Sequence, residues 1–503
     1  MNIKRAKQEI KHAIEAYLLK DEEGNYEIPS QRQRPIFLIG APGIGKTQIM
    51  EQISKECEIG LVAYTITHHT RQSAIGLPFI SKHIYGGNEY SVTEYTMSEI
   101  VASVYNKIEE SGLKEGILFI DEINCVSETL APAMLQFLQY KTFGNHAIPE
   151  GWIIVAAGNP PEYNKLVSEF DVVTMDRVKK IEVEPDFSVW KEYAYVQDIH
   201  PAVISYLTTR VAYFYQMETT VDGMLFATPR GWEDLSRLIQ VYEKLEITVD
   251  REVVVQYIQY PKIAKDFANY LELYYKYQAD YQIDQVMQGK IDPILVKKVG
   301  HASFDEKLSV VSLVLAKTVE AFRQTYKKEA SITVLFEKLK EYKSGALSLK
   351  QICEEMEQTL KSKKKAKILN REEGYALKRT IEKLEQYEKL LKEAGNPEHE
   401  VAFELVKKEF AKENEAYQKE LDAAGQMLEY GFDFMEIVFG NSQEMTVFVT
   451  ELNTNFYSVQ FLQNYECERY YQYNKNLLFD EKRRNILNRI DNLVTVHTSV
   501  NSK

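Results

Sequence analysis

In the first half of the chain, short unbroken apolar runs alternate with stretches in which apolar residues recur every three or four positions. "PIFLIG", "LVAYTIT", "GILFIDE", "WIIVAAGN" and "VKKIEVE" read as five strands. "KTQIMEQISKEC", "MSEIVASVYNKIEES" and "SETLAPAMLQFLQY" between them read as helices. Apolar runs without polar alternation suit strands covered on both faces, so the pattern predicts an α/β core with a parallel sheet between helix layers. The opening "MNIKRAKQEIKHAIEAYLL" predicts an amphipathic helix, since Glu9 and Glu15 interrupt what would otherwise resemble a signal segment.

From about Asp186 the strand runs stop. "FSVWKEYAYV", "HPAVISYLTTRVAYFYQM" and "TPRGWEDLSRLIQVYEKL" carry helical spacing, and beyond Lys290 the helical pattern continues with more charge. In "EEGYALKRTIEKLEQYEKLLKEAG", Leu377, Ile381, Leu384, Tyr387 and Leu391 share a face, and Gly395-Asn396-Pro397 ends the helix. A second charged helix follows, and the two predict a long antiparallel hairpin, read first as a solvated arm and second as a partner-binding coiled coil. The divisions expected are a lead-in over 1–34, an α/β core over 35–186, a helical region over 187–300 and a helical C-terminal region with the hairpin over 301–503.

Composition narrows the classes. A chain of 503 residues is long enough for several domains. Its net charge of −13 argues against a nonspecific nucleic-acid or anionic-membrane binder. "KSKKKAK" at Lys361 to Lys367 is too short to change that and reads as a solvated helix face or linker. No apolar run approaches the ~20 residues of a membrane span. The cysteines Cys57, Cys125, Cys353 and Cys467 are widely spaced, which fits a reducing cytoplasm and neither a zinc knuckle nor a disulfide scaffold. The 33 tyrosines, roughly twice the usual share, are assigned mainly to helical cores.

The chemistry begins at "GAPGIGKT". Gly40, Gly45, Lys46 and Thr47 fit the phosphate-binding loop, with Ala41, Pro42, Gly43 and Ile44 inside the turn and Gln48 just after it. Glycines let successive N–H groups face one concavity, and the helix that follows adds the positive end of its dipole. Lys46 would reach the β and γ phosphates of a nucleotide, and Thr47 would ligate Mg²⁺. Asp121 ends the run "GILFIDE", where an open α/β sheet binds its ligand, and would hold Mg²⁺ through water. Glu122 beside it could polarise an attacking water. Two adjacent acids could instead open a loop. Asn159 ends "WIIVAAGN" and could position that water, or could be a turn residue before Pro160-Pro161. Arg177 precedes the fifth strand. Arg230 sits at a helix start, with Thr228 as N-cap and Pro229 at the first turn, a place that disfavours a cation unless an anion sits there.

Taken in order, "GAPGIGKT", "ILFIDE", "AAGNPPEYN", "MDRVKKI" and "TPR" resemble an AAA+ ATPase, most closely the MoxR-like, dynein-related branch. The resemblance covers about Pro35 to Glu243. It implies a five-stranded sheet of order 5-1-4-3-2, a helical lid, ATP with Mg²⁺, and a ring, taken as a hexamer. In that ring Arg177 would act on the neighbour's nucleotide and Arg230 would contact its own. It also implies an insertion near the second helix and a hairpin before the fourth strand. "THHTRQSAIGLPFISKHIYGGNEYSV" and "KTFGNHAIPEG", with Gly144-Asn145 as turn, stand in those places. His68 and His69 in the first segment read as a polar loop rather than a metal site.

The function expected is an ATP-hydrolysing cytoplasmic ring that remodels a protein partner, in this branch often one with a von Willebrand factor A domain. A nucleotide-dependent assembly scaffold with slow hydrolysis is the alternative. A motor subunit of a nucleic-acid restriction or repair complex is a second, disfavoured by the acidic charge. ATP and GTP remain open.

Overall fold

The computed structural model describes residues 1–475 apart from 69–70, 128, 164–169, 171 and 222. It divides into two compact units. The first comprises residues 1–189, 228–231 and 349–381, and the second residues 190–227, 232–348 and 382 onward.

The first unit is built on strands β1 (Ile36–Gly40), β2 (Gly60–Thr65), β5 (Gly116–Asp121), β8 (Trp152–Gly158) and β9 (Lys179–Val183), with two hairpins, β3 (Pro78–Tyr85) with β4 (Asn88–Tyr95) and β6 (Thr142–Phe143) with β7 (His146–Ala147). The five sheet strands run parallel in the order β2-β5-β8-β1-β9. Counting only those five, this is the expected 5-1-4-3-2, read from the other edge. Burial follows position in the sheet. β8 is buried throughout and β5 up to its last residue, whereas the edge strand β9 alternates buried Ile181 and Val183 with exposed charge. Trp152, fully buried, anchors one end of the sheet. A Cβ at Gly116 would come within 2.7 Å of its ring and one at Gly60 within 3.0 Å, so both strands must begin with glycine for the indole to fit.

The N-terminal helix Ile3–Leu18 is amphipathic as expected. It is capped by the Asn2 side chain and buries Ala6, Ile10, Ala13 and Ile14. Both insertions are hairpins. Gly86 and Gly87, at φ +59° and +84°, turn β3 into β4, and Gly144, at φ +55°, helps turn β6 into β7. The segment over 349–381 also belongs to this unit. The helix Leu349–Ala366 docks on the helix Glu99–Ser111 through Lys107 Nζ, which donates to the Ala366 carbonyl at 2.9 Å. Within the basic run, Lys363 pairs with Glu58 at 3.0 Å and Glu373 at 2.7 Å.

Two expectations for the second unit need correction. Strands do not stop at Asp186: β10 (Gln216–Thr220) and β11 (Gly223–Ala227) form an antiparallel hairpin, with Met217 opposite Phe226. The helix read through "HPAVISYLTTRVAYFYQM" ends at Thr209. The Asp-Gly pair in "TTVDGM" is a hairpin turn signal in the sequence, set among residues with helical spacing. The expected two-helix arm also has a third member. Lys383 does pair with Glu413 across the Gly395 turn, but His399–Phe439 packs mainly along the 40-residue helix Phe304–Lys343. Phe336 stacks on Phe410 at 5.9 Å and Lys328 pairs with Glu420 at 2.6 Å. A helix of 41 residues with apolar positions on more than one face has more to bury than a single charged partner can cover. Tyrosine serves the core here: Tyr206, Tyr281 and Tyr457 are fully buried, and Tyr206 packs against Trp232, Phe267 and Tyr270.

Among the described residues no helix is long and apolar enough to cross a membrane.

Candidate functional site

β1 ends at Gly40 and the helix Lys46–Glu56 begins six residues later, so the turn must reverse within the five residues Ala41–Gly45. Gly43 at φ +76° and Gly45 at φ +97° take backbone conformations that a side chain would strain. Gly40 is required for a different reason: a Cβ there would sit 2.7 Å from the Val183 carbonyl oxygen of β9 and 2.8 Å from Ile44 Cδ1. Ala41 and Ile44 are buried and pin the turn, while Pro42 and Gln48 are half-buried at its rim.

Lys46 lies buried at the centre. Its ammonium donates to the Gly40 carbonyl at 2.6 Å, the Ala41 carbonyl at 2.9 Å and Asn159 Oδ1 at 2.8 Å. Burial lowers its pKa to about 8. Asp121 and Glu122 oppose the shift, and the nearby Arg230 charge adds to it. On the next position Thr47 Oγ1 donates to Asp121 Oδ2 at 3.1 Å, joining the first helical turn to the end of β5. Two oxygens so placed, one hydroxyl and one carboxylate, are hard donors close enough to share one Mg²⁺, directly or through water. A cationic amine, a turn with left-handed glycines and a helix N-terminus beside them suit the phosphates of a nucleotide. The residues therefore fit both groups.

Glu122 takes a left-handed backbone conformation, φ 58° and ψ 33°, uncommon for a side chain of its size. Its amide donates to its neighbour, Asp121 Oδ1, at 2.9 Å, and its carboxylate accepts from Thr67 Oγ1 at 3.1 Å. Asn159, at the end of β8, is held from below. Asn124 Nδ2 donates to its carbonyl at 2.7 Å, and a Cβ on Gly158 would strike the Asn124 amide at 2.5 Å. Asn124 is buried and its Oδ1 has no partner among the described residues.

Residues 35–178 match the AAA domain, dynein-related subfamily. No curated protein matches the sequence. Among solved structures, two mutants of Thermotoga maritima RuvB match at 15% identity and a TM-score of 0.29. One alignment covers 52% of this chain and 69% of that one, the other 51% and 69%.

Around the phosphate-binding turn, the remaining candidates separate. The backbone N–H of Arg230 donates to the Gly43 carbonyl at 3.2 Å, and Thr228 Oγ1 caps the helix Pro229–Lys244 by accepting from Gly231 at 3.2 Å. This fastens the strip 228–231 to the phosphate-binding turn, with the Arg230 side chain exposed. Arg177 is not brought to the cleft. It lies exposed between the helix Val172–Met175 and β9, and its Nη1 donates to Gln139 Oε1 at 2.8 Å. His69 lies outside the described residues, as does the His68 side chain, and among the described residues no group of three His, Cys, Asp or Glu could hold a metal. Sequence reasoning missed Asn124, Thr67 and Gln139. "DEINC" offers Asn124 as a polar residue two places beyond Glu122, but nothing local says that it turns back under the next strand.

Proposed function

We propose that this chain is a Mg²⁺-dependent ATPase of the AAA+ class that works as a ring, a hexamer by resemblance, remodelling a protein partner in the cytoplasm. The observation that carries the reading is the convergence of Lys46, Thr47, Asp121 and Asn159 through direct hydrogen bonds, with Glu122 adjacent. Lys46 and the turn Gly40–Gly45 would hold the phosphates, with Gln48 at the rim. Thr47 and Asp121 would hold Mg²⁺, which supplies charge neutralisation at the phosphates when bound. Glu122 would orient and deprotonate the lytic water, with Asn159 positioning it. The exposed Arg177 suits action on a neighbour's site, and the strip around Arg230 would report nucleotide state to the helical region. The hairpins β3–β4 and β6–β7 stand where the MoxR-like branch has its insertions, which supports that branch and a partner such as a von Willebrand factor A domain protein. The division into lead-in, core, lid and C-terminal region remains part of this reading.

The test pairs two substitutions. Lys46→Ala should lose nucleotide binding in a fluorescent-ATP titration, while Glu122→Gln should bind at near wild-type affinity and release phosphate at least a hundredfold more slowly. Equal loss of binding in both would contradict the roles. Mixing Arg177→Ala with Glu122→Gln subunits should restore part of the turnover, since some interfaces then pair an intact Glu122 with an intact Arg177. No restoration in rings shown to contain both would remove the ring mechanism.

A further inference from the structure

The hairpin β3–β4 is apolar on both faces, and no residue of either strand is buried. Alternation sorts its side chains into two sets. One face carries Ile80 and Ile84, 76% and 75% exposed, with Thr93 and Glu89 opposite them. The other carries Phe79, Tyr85 and Tyr90, 44%, 56% and 50% exposed, with the Tyr85 and Tyr90 rings 6.0 Å apart and His83 stacked on Tyr85 at 6.0 Å. Leu77 at the root is exposed too. At roughly 200 Å² per large side chain, these six expose on the order of 700 Å². That is above the ~300–600 Å² of the largest apolar patch on a typical monomer, and close to the ~800 Å² that each partner gives to a stable interface.

The hairpin is held firmly at its base. Leu77 and Thr96 are tied twice, by the Thr96 amide to the Leu77 carbonyl and by the Leu77 amide to Thr96 Oγ1, each at 2.9 Å. A Cβ on Gly76 would come within 2.0 Å of the Thr96 carbonyl oxygen, so only glycine lets the strands close there. From β7, His146 Nε2 lies 3.0 Å from the Tyr95 carbonyl. An apolar element anchored in this way is preorganised, and a partner that covers it loses little to ordering.

We propose that β3–β4 stacks front to back between the same hairpins of two neighbouring copies, isoleucine face on aromatic face. This inference rests on the ring reading and assigns the hairpin as one of the contacts between subunits. Two observations select the arrangement. The first is that both faces are apolar and differ in chemistry. An isologous pair would cover one face of each hairpin and leave the other in water, whereas a head-to-tail contact uses both and closes into a ring. The second is charge. Lys82 on the isoleucine face pairs with Glu89 at 2.7 Å, which leaves that face neutral. The aromatic face carries Glu94, bonded to the His83 ring at 2.9 Å. Two aromatic faces would set Glu94 against Glu94, so the aromatic face meets the neutral one. With a single lysine against two glutamates, the hairpin offers nothing to a polyanion.

The experiment uses the full chain with ATP and Mg²⁺, in a background of Cys57→Ser and Cys125→Ser. Ile80→Cys combined with His83→Cys puts one thiol on each face, as does Ile84→Cys combined with Ser81→Cys. Under mild oxidation at least one of these pairs should give a disulfide ladder of three or more copies, while each single cysteine gives none. Mass photometry of the same samples reports the ring. Separately, Ile80→Thr with Ile84→Thr removes apolar surface from exposed strand positions, and half assembly should then need at least tenfold more protein at an unchanged thermal midpoint. Rings that assemble but give no ladder would overturn the stacking and leave the ring standing. So would single cysteines that dimerise as readily as the pairs, or an unchanged assembly midpoint in the threonine variant. Monomers at every concentration would remove the ring reading and this contact together.

Discussion

Raising the pH should weaken nucleotide binding, and Lys46 sets where. Its buried ammonium has a pKa of about 8 with no ligand beside it, whereas nucleotide phosphates would hold the proton on. The sign follows: below pH 8 the amine is charged in both free and bound protein, and above it binding must first return a proton to the free amine. With a midpoint near 8, the charged fraction falls from about 90% at pH 7 to about 10% at pH 9, so affinity should drop about tenfold, roughly 1.4 kcal/mol. At pH 8 binding should take up about half a proton, seen as a calorimetric enthalpy that changes with the ionisation heat of the buffer. Lys46→Arg stays charged throughout and should be flat across the range, if weaker overall. That control also separates Lys46 from Lys141, whose pKa burial likewise lowers to about 8 but whose ammonium bonds to Ser30 and Gln33. Wild-type affinity constant within twofold between pH 7 and 9, with no proton uptake, would refute the reasoning.

Asn124→Ala removes the bond that holds the Asn159 carbonyl and should cost about 1–3 kcal/mol in urea unfolding; turnover should fall at least tenfold while nucleotide affinity changes less than threefold. Gly40→Ala forces a methyl onto the Val183 carbonyl and should destabilise by about 1–3 kcal/mol, read as a lower thermal midpoint. Arg230→Ala should slow phosphate release at least tenfold. Because the Arg230 charge pushes the Lys46 pKa down, the same substitution should move the pH midpoint of binding upward, and an unmoved midpoint together with unchanged kinetics would leave Arg230 as an ordinary helix-surface residue.

Much of this protein was legible in its sequence because the relevant forces act over a few residues. Unbroken apolar runs mark β5 and β8 as covered on both faces, the glycines of Gly40–Gly45 mark a turn that side chains would strain, and Thr228-Pro229 marks a helix start. Each is decided by backbone sterics or local burial, which neighbouring residues already specify. The strand order came instead through resemblance, since periodicity does not say which strands pair. What only the tertiary structure decided are relations between residues far apart in the chain. The hairpin β10–β11 lies in a stretch whose spacing reads as helix, and cross-strand pairs such as Met217 with Phe226 decide it. The return of residues 349–381 to the first unit rests on bonds such as Lys107 to Ala366, which no local pattern announces. Asn124 beneath Asn159 is of the same kind. Whether a buried polar group finds a partner depends on what the fold brings across from elsewhere, and that is a property of packing rather than of the chain's local preferences.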